Sequence, residues 1–341
     1  MKIHYVALLL AMTAVGCTSP VADEVPMTRD QSPASQALLE DTVMAVAYSG
    51  FREGQHPDRG NGANNPSPAQ ILEDLNILVE HGFGLIRLYD AGENSRTTLE
   101  LIEREKLPIK VLQGIWLEAQ FSNHEGCAWL DEPIPASELR ANTAANRREV
   151  ARGIALARQY PDTIVAVNVG NEALVNWTDH MVPLEDMIDY VRTVKAAVDQ
   201  PVTVAENYEW WIADGAPLAA ELDFVGVHTY PAWEHKTIDE ALDYTVENMQ
   251  RVAAALPDSK LAILEAGWAT TASEFGGRAS EASQARYYDD MQTWATQAQV
   301  TVFFFEAFDE PWKGNPDNAD GAEKHWGLFF VDRTPKQRFQ R

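Results

Sequence analysis

Short apolar, β-branched runs alternate along this chain with longer stretches of helical periodicity, and that alternation restricts the fold more than any other feature. Strand-like runs begin at about Val43, Gly84, Pro108, Thr163, Pro201, Asp223, Leu261 and Val300. Between them, Ile71, Leu72, Leu75, Leu78 and Val79 follow three-and-four spacing, as do Leu184, Met187, Ile188, Val191, Val194 and Val198. Such alternation over roughly 300 residues predicts an α/β fold, a (β/α)₈ (TIM) barrel, as a single catalytic domain over residues 42–341. No internal repeat and no glycine-rich nucleotide fingerprint interrupts it.

The predicted strands are apolar along their lengths and polar at their C-terminal ends. Tyr48 follows the first, Asp90 the second, Asn171 and Glu172 the fourth, and Glu206 the fifth. His228 and Tyr230 follow the sixth, Glu265 the seventh, and Glu306, Asp309 and Glu310 the eighth. Buried parallel strands are expected to be apolar throughout, so polar groups gathered at one rim point to chemistry there. Two glutamates stand out: Glu172 in V-G-N-E and Glu265 in L-E-A-G-W. A barrel would bring both to one rim, and a pair of carboxyl groups is what glycosidic cleavage needs, one donating a proton and one attacking the sugar.

Composition narrows the partners. A formal net charge of −24 disfavours nucleic acid and anionic polymers but is indifferent to a neutral substrate. With 2 cysteines there is no disulfide framework, and no cysteine–histidine cluster has metal-site spacing, so neither a metal nor another cofactor is expected. Residues 1–16 read as a signal peptide of lipoprotein type: Lys2, then the apolar run Ile3–Val15, then Ala14-Val15-Gly16-Cys17. Cys17 is the expected lipidation site, and residues 17–41 read as a flexible tether. The expected location is the bacterial outer membrane through a lipid anchor, or otherwise the periplasm or the medium. A monomer touching membrane only through that anchor is expected.

At these residues the chain resembles glycoside hydrolase family 17, the retaining β-1,3-glucanases. The matching pieces are R-L-Y-D at Arg87–Asp90, V-G-N-E at Val169–Glu172, H-T-Y-P at His228–Pro231 and E-A-G-W at Glu265–Trp268. F-D-E-P-W-K at Phe308–Lys313 and E-K-H-W-G-L-F at Glu323–Phe329 complete the set, in family order, across nearly the whole domain. The resemblance implies a (β/α)₈ barrel and endo-type cleavage of β-1,3-glucan without a cofactor. It also implies Glu172 as acid/base and Glu265 as nucleophile. Ala266 stands where the family usually carries Thr, a change that touches a local hydrogen bond and not the carboxylate.

With those roles, Glu172 is expected protonated and Glu265 ionised, with carboxyl groups about 5–5.5 Å apart. Asn171 is read either as a donor to the sugar 2-hydroxyl or as a turn residue. Tyr230 either donates to Glu265 or stacks on sugar. Glu310, Lys313 and Glu323 match a charged cluster beside the family's nucleophile; Lys313 either holds Glu265 ionised or forms a surface salt bridge. Arg87 is read as a buried partner for Glu172, Glu265 or another rim acid, or for Asp90 alone. Of the 10 tryptophans, Trp116, Trp129, Trp177, Trp210, Trp211, Trp233, Trp268 and Trp312 fall near strand ends, with Trp233 and Trp312 the first candidates to stack on sugar and Trp268 a further one. His56, His124 and His180 read as loop residues. A β-1,3-glucan transglycosylase would use the same two glutamates, and a non-catalytic glycan-binding lipoprotein is the reading from another functional class.

Overall fold

The computed structural model describes residues 44–58, 62–128 and 130–340. The signal segment, the tether with Cys17, Val43 and Trp129 lie outside the described residues. Eight strands close into a barrel in sequence order: β1 (Met44–Ala47), β2 (Leu85–Arg87), β3 (Lys110–Ile115), β4 (Ile164–Asn171), β5 (Val202–Asn207), β6 (Val225–His228), β7 (Leu261–Gly267) and β8 (Val302–Phe305). Every neighbouring pair is parallel, and β8 closes on β1. The strands from β2 onward start within a residue or two of the sequence expectation. Pro108 and Pro201 precede their strands rather than join them, because proline has no N–H to give to a ladder.

Helices on the outside connect the strands: α1 (Pro68–Glu80), α2 (Glu93–Glu105), α3 (Ala136–Gln159), α4 (Leu184–Lys195), the short α5 (Tyr208–Ala213) and α6 (Ala216–Ala219), α7 (Ala241–Ala255) and α8 (Glu281–Ala298). Their apolar stripes are the ones the spacing predicted. Ile71, Leu75 and Leu78 are buried on α1, and Met187, Val191 and Val194 on α4. Ser67 starts α1 with a capping box completed by Gln70, and Pro68 occupies its first turn. No helix among the described residues is long and apolar enough to cross a membrane.

The core has two parts. A small cluster that includes Ala45, Leu85, Leu112, Ala166, Ala205, Leu264 and Phe303 fills the barrel, and a larger one packs strands against helices. Successive strand residues alternate between them: Ala205 belongs to the inner cluster and Val204 to the outer. Two irregularities break the alternation where it matters. The β4–β5 register shifts between Asn168 and Asn171, with Gly170 at φ +77°, and the β6–β7 and β7–β8 registers shift around Glu265. Bulges of this kind re-aim side chains at the ends of strands.

Candidate active site

Glu265 lies inside β7 rather than beyond it, and the residue is 5% exposed. Oε1 accepts hydrogen bonds from Arg87 Nη1 at 2.8 Å and from the Tyr89 hydroxyl at 2.9 Å; Oε2 accepts from the Tyr230 hydroxyl at 2.6 Å. Burial alone would raise its pKa. His228, Arg87 and the two hydroxyls more than offset that and hold the carboxyl below the usual carboxylate range. Burial and then the Glu265 charge push Tyr89 and Tyr230 well above the ordinary phenol range, so both remain hydroxyl donors.

Arg87 is fully buried and organises the floor. Nη1 also donates to the Leu264 carbonyl at 3.0 Å, and Nη2 donates to Asn171 Oδ1. Its partner is thus Glu265 and not Asp90. Asp90 Oδ1 instead accepts from the Gly92 amide and the Ser95 hydroxyl, at the start of α2, which separates it from the glutamate pair.

Glu172 follows β4 with φ +46°, a left-handed backbone that costs a non-glycine residue energy and marks functional sites. Its amide donates to the Ala205 carbonyl at 2.9 Å, and its half-buried carboxyl faces His228. The His228 ring sits between the two acids: Nδ1 is 3.0 Å from Glu172 Oε1 and 3.4 Å from Glu265 Oε2. Those two oxygens are therefore no farther apart than the two distances laid end to end. That limit admits the ~5–5.5 Å separation of a retaining pair. On its other side, His228 Nε2 lies 3.1 Å from Arg87 Nη1.

A second charged cluster adjoins this one. Lys313 bridges Glu306 Oε2 at 2.5 Å and Glu310 Oε2 at 2.9 Å, with its ammonium 4.5 Å from the centre of the Phe305 ring. The expectation that Lys313 holds Glu265 ionised is corrected: its charge is taken up by these two acids, and Arg87 is the cation on Glu265. Burial lowers the Lys313 pKa, but Glu306 and Glu310 outweigh it and raise the group overall. Burial also pushes Glu306 well above the ordinary range, against the pull of Lys313. Glu310 Oε1 accepts from the Ser49 hydroxyl and the Phe51 amide, tying the loop after β1 to that after β8. Glu323 carries a carboxyl pushed up to about 7 by burial, with Lys313 opposing and Glu172 and Glu265 adding to the rise.

Three expected support residues stand apart. Tyr48 is buried with its hydroxyl on Asp74, which Arg333 and Arg52 neutralise, so it braces α1. Trp268 is 0% exposed, donates to the Arg278 carbonyl and packs on Tyr287; it is a core residue with no face for a ligand. Glu206 is buried behind the loop that follows Glu172, accepting from the Leu174 amide at 2.9 Å. Trp211 is likewise fully buried, donating to the Gly226 carbonyl. Trp233, 39% exposed, stands edge-on to Phe275 and beside Trp326, which in turn packs on Tyr230. Trp312 packs on Phe51 and lines an open depression with Glu53, Gln55 and His56.

Tyr89 escaped notice in the sequence although its signal was present: it lies two residues beyond Arg87, the spacing that puts both on one face of an extended segment. His180, read as a loop residue, stacks against Trp116 at 4.4 Å and lies 2.8 Å from the Asn171 carbonyl, bracing the turn before Glu172.

A parallel barrel carrying a buried, charge-paired carboxylate opposite a second, more open one at its C-terminal rim is the architecture of a glycosidase. The chain belongs to the BtgE/BtgC glycoside hydrolase domain family, whose model matches residues 45–327. It is 27% identical over 323 residues to a glucan 1,3-beta-glucosidase of Arthroderma benhamiae, spanning 88% of this chain and 92% of that one. A putative glucan endo-1,3-beta-glucosidase of Aspergillus niger is 27% identical across 80% of this chain, which spans 40% of that longer protein. Among solved structures, an endo-laminarinase from Formosa superposes with a TM-score of 0.76 at 25% identity, over 89% of this chain and 87% of that one. A β-1,3-glucanosyltransferase of Rhizomucor miehei shares the fold at a TM-score of 0.67 and 21% identity, over 88% and 97% of the two chains. The resemblance to glycoside hydrolase family 17 rests on these matches as well as on the motifs.

Proposed function

We propose that this glycosidase cleaves β-1,3-glucan by double displacement with retention of anomeric configuration. The observation that carries this is the pair of carboxyls flanking His228, one charge-paired in the floor and one raised on a strained turn. The printed activities of its relatives, glucan 1,3-beta-glucosidase and endo-laminarinase, support the substrate class.

Glu265 is the nucleophile. Arg87, Tyr89 and Tyr230 keep it ionised and fix its orientation, so one lone pair is free to attack the anomeric carbon. Glu172 gives its proton to the leaving oxygen as the glycosyl–enzyme ester forms. It then takes a proton from the incoming water, which breaks that ester. Asn171 Oδ1 is occupied by Arg87, which turns its amide nitrogen away from that partner and leaves it to donate to the sugar 2-hydroxyl. Trp233 and Trp312 offer ring faces to further sugar units. The negative surface is compatible with a neutral polysaccharide. Export, acylation at Cys17 and action as a monomer belong to the same reading, supported by the N-terminal sequence pattern for the first two.

Digestion of laminarin followed by proton NMR tests the reading directly. The β-anomer appears first and equilibrates later; the α-anomer first would refute double displacement. Products longer than the oligosaccharide supplied would show transfer to sugar in place of water. No cleavage of any β-1,3-glucan would refute the substrate assignment.

A further inference from the structure

Glu206 is the most deeply buried acid near the site and is not explained by contact with substrate. It is 0% exposed. Ala205 lies on the inner face of β5, so Glu206 falls on the outer face, behind the barrel wall rather than in the cleft. Its Oε1 accepts from the Leu174 amide at 2.9 Å, and the Ala173 amide points at the same carboxyl. These amides belong to the two residues that follow Glu172. On the other side of Glu172, its own amide donates to the Ala205 carbonyl, the residue before Glu206. The strained turn is thus gripped from both sides by two consecutive residues of β5.

We propose that Glu206 is a positioning residue for Glu172: a buried carboxyl held in its uncharged form that accepts the Leu174 amide hydrogen and so fixes the left-handed turn presenting Glu172 to the cleft. The proposal rests on the reading of Glu172 as the acid/base. The uncharged form follows from the surroundings. Oε2 has no hydrogen-bond partner and the carboxyl no paired cation among the described residues, and the neighbouring side chain is another acid, Glu172. An ionised carboxylate in that position is far costlier than a neutral one, because nothing replaces its lost hydration. Burial first, and then Glu172, push Glu206 well above the ordinary carboxylate range, against the two backbone amides. A neutral carboxyl still offers the carbonyl oxygen that the amides need, and it withholds a second negative charge from the vicinity of Glu172. The energy stored at φ +46° is retained only while the neighbouring backbone is fixed, and the Glu206 carboxyl shares that fixing with the Ala205 carbonyl.

The test compares Glu206→Gln with Glu206→Ala. Glutamine keeps a neutral carbonyl acceptor of the same length, so turnover stays within about threefold and both limbs of the pH–kcat/KM profile stay where they are. Alanine frees the turn, so kcat falls about 10- to 100-fold with KM within about twofold, the pattern of a misplaced catalytic group. A limb moved by about half a pH unit or more in Glu206→Gln would mean that Glu206 acts as a charge, and would overturn the proposal. Hydrogen exchange supplies an arm that needs no substrate. Protection at Leu174 is lost in Glu206→Ala and kept in Glu206→Gln. Unchanged protection in the alanine variant would sink the proposal, whereas absence of glucan cleavage by the unmodified protein would sink only the substrate reading. If the alanine variant fails to fold, the glutamine variant still decides.

Discussion

The two carboxyls proposed to carry the chemistry are built in opposite ways. Glu265 sits inside β7, nearly inaccessible, with hydrogen bonds from Arg87, Tyr89 and Tyr230. Glu172 sits just past a bulge on a strained turn, half-buried, with the His228 ring at its carboxyl. The contrast matches their work. A nucleophile must meet the anomeric carbon ionised and in one direction without exchanging a proton, which favours saturated hydrogen bonding and a buried cation. An acid/base must lose and regain a proton in every turnover, which favours few partners and access to water. Stiffness is placed where no proton is exchanged, and exposure where a proton comes and goes.

Removing the stiff partner is expected to do most damage. Glu265→Ala lowers turnover by roughly 10⁴- to 10⁶-fold while laminari-oligosaccharide binding, followed by calorimetry, persists. Turnover close to wild type would dissolve the contrast altogether. Glu172→Gln is expected to cost about 10²- to 10⁴-fold on polymer, and much less on an aryl glycoside whose leaving group needs no proton. Equal losses on both substrates would assign the proton to another group.

Arg87→Met sharpens the comparison, because Arg87 touches Glu265 and reaches Glu172 only through Asn171 and His228. Stability is expected to fall by about 3–5 kcal/mol in chemical denaturation, since a buried carboxylate is left without its cation. The sign with pH is fixed by the lowered Glu265 pKa: its pairing stabilises above the unfolded carboxylate pKa and is lost as pH falls through the lower folded one. Without Arg87 the acid limb of kcat/KM moves to higher pH; an unmoved limb would make the pairing irrelevant to ionisation.

Glu323 behaves in the reverse sense. Its folded pKa of about 7 lies above the unfolded value, so the native state binds the extra proton and stability declines as pH rises toward 7. Glu323→Gln removes that slope, which is at most about 1.4 kcal/mol per pH unit, and melting curves at several pH values would show it. The smallest effect on chemistry is expected from Trp268→Ala. It costs about 3–5 kcal/mol of stability with laminarin affinity unchanged, whereas Trp233→Ala should weaken affinity and spare stability.

The barrel was legible because periodicity reports burial, and burial follows from strand and helix geometry. Glu172 and Glu265 were legible because a carboxylate at the end of an apolar run has few structural reasons to be there. Direction was not legible. Trp268 and Trp233 look alike in sequence, yet one faces α8 and the other solvent. Lys313 turned to Glu306 and Glu310 because burial of three charged groups together demands mutual neutralisation, a three-dimensional condition that spacing does not encode. The position of Glu265 within β7 depends on a register shift, and such shifts leave no regular trace in the pattern.

Arg87 has a consequence beyond catalysis. From β2 its guanidinium contacts groups on β4, β6 and β7, so a single side chain spans half of the closed sheet. The active centre then has no independent existence: any opening wide enough to part those strands dismantles it. Loss of activity and loss of tertiary structure should therefore share one midpoint in denaturant, and the enzyme should show no folded but inactive plateau before it unravels.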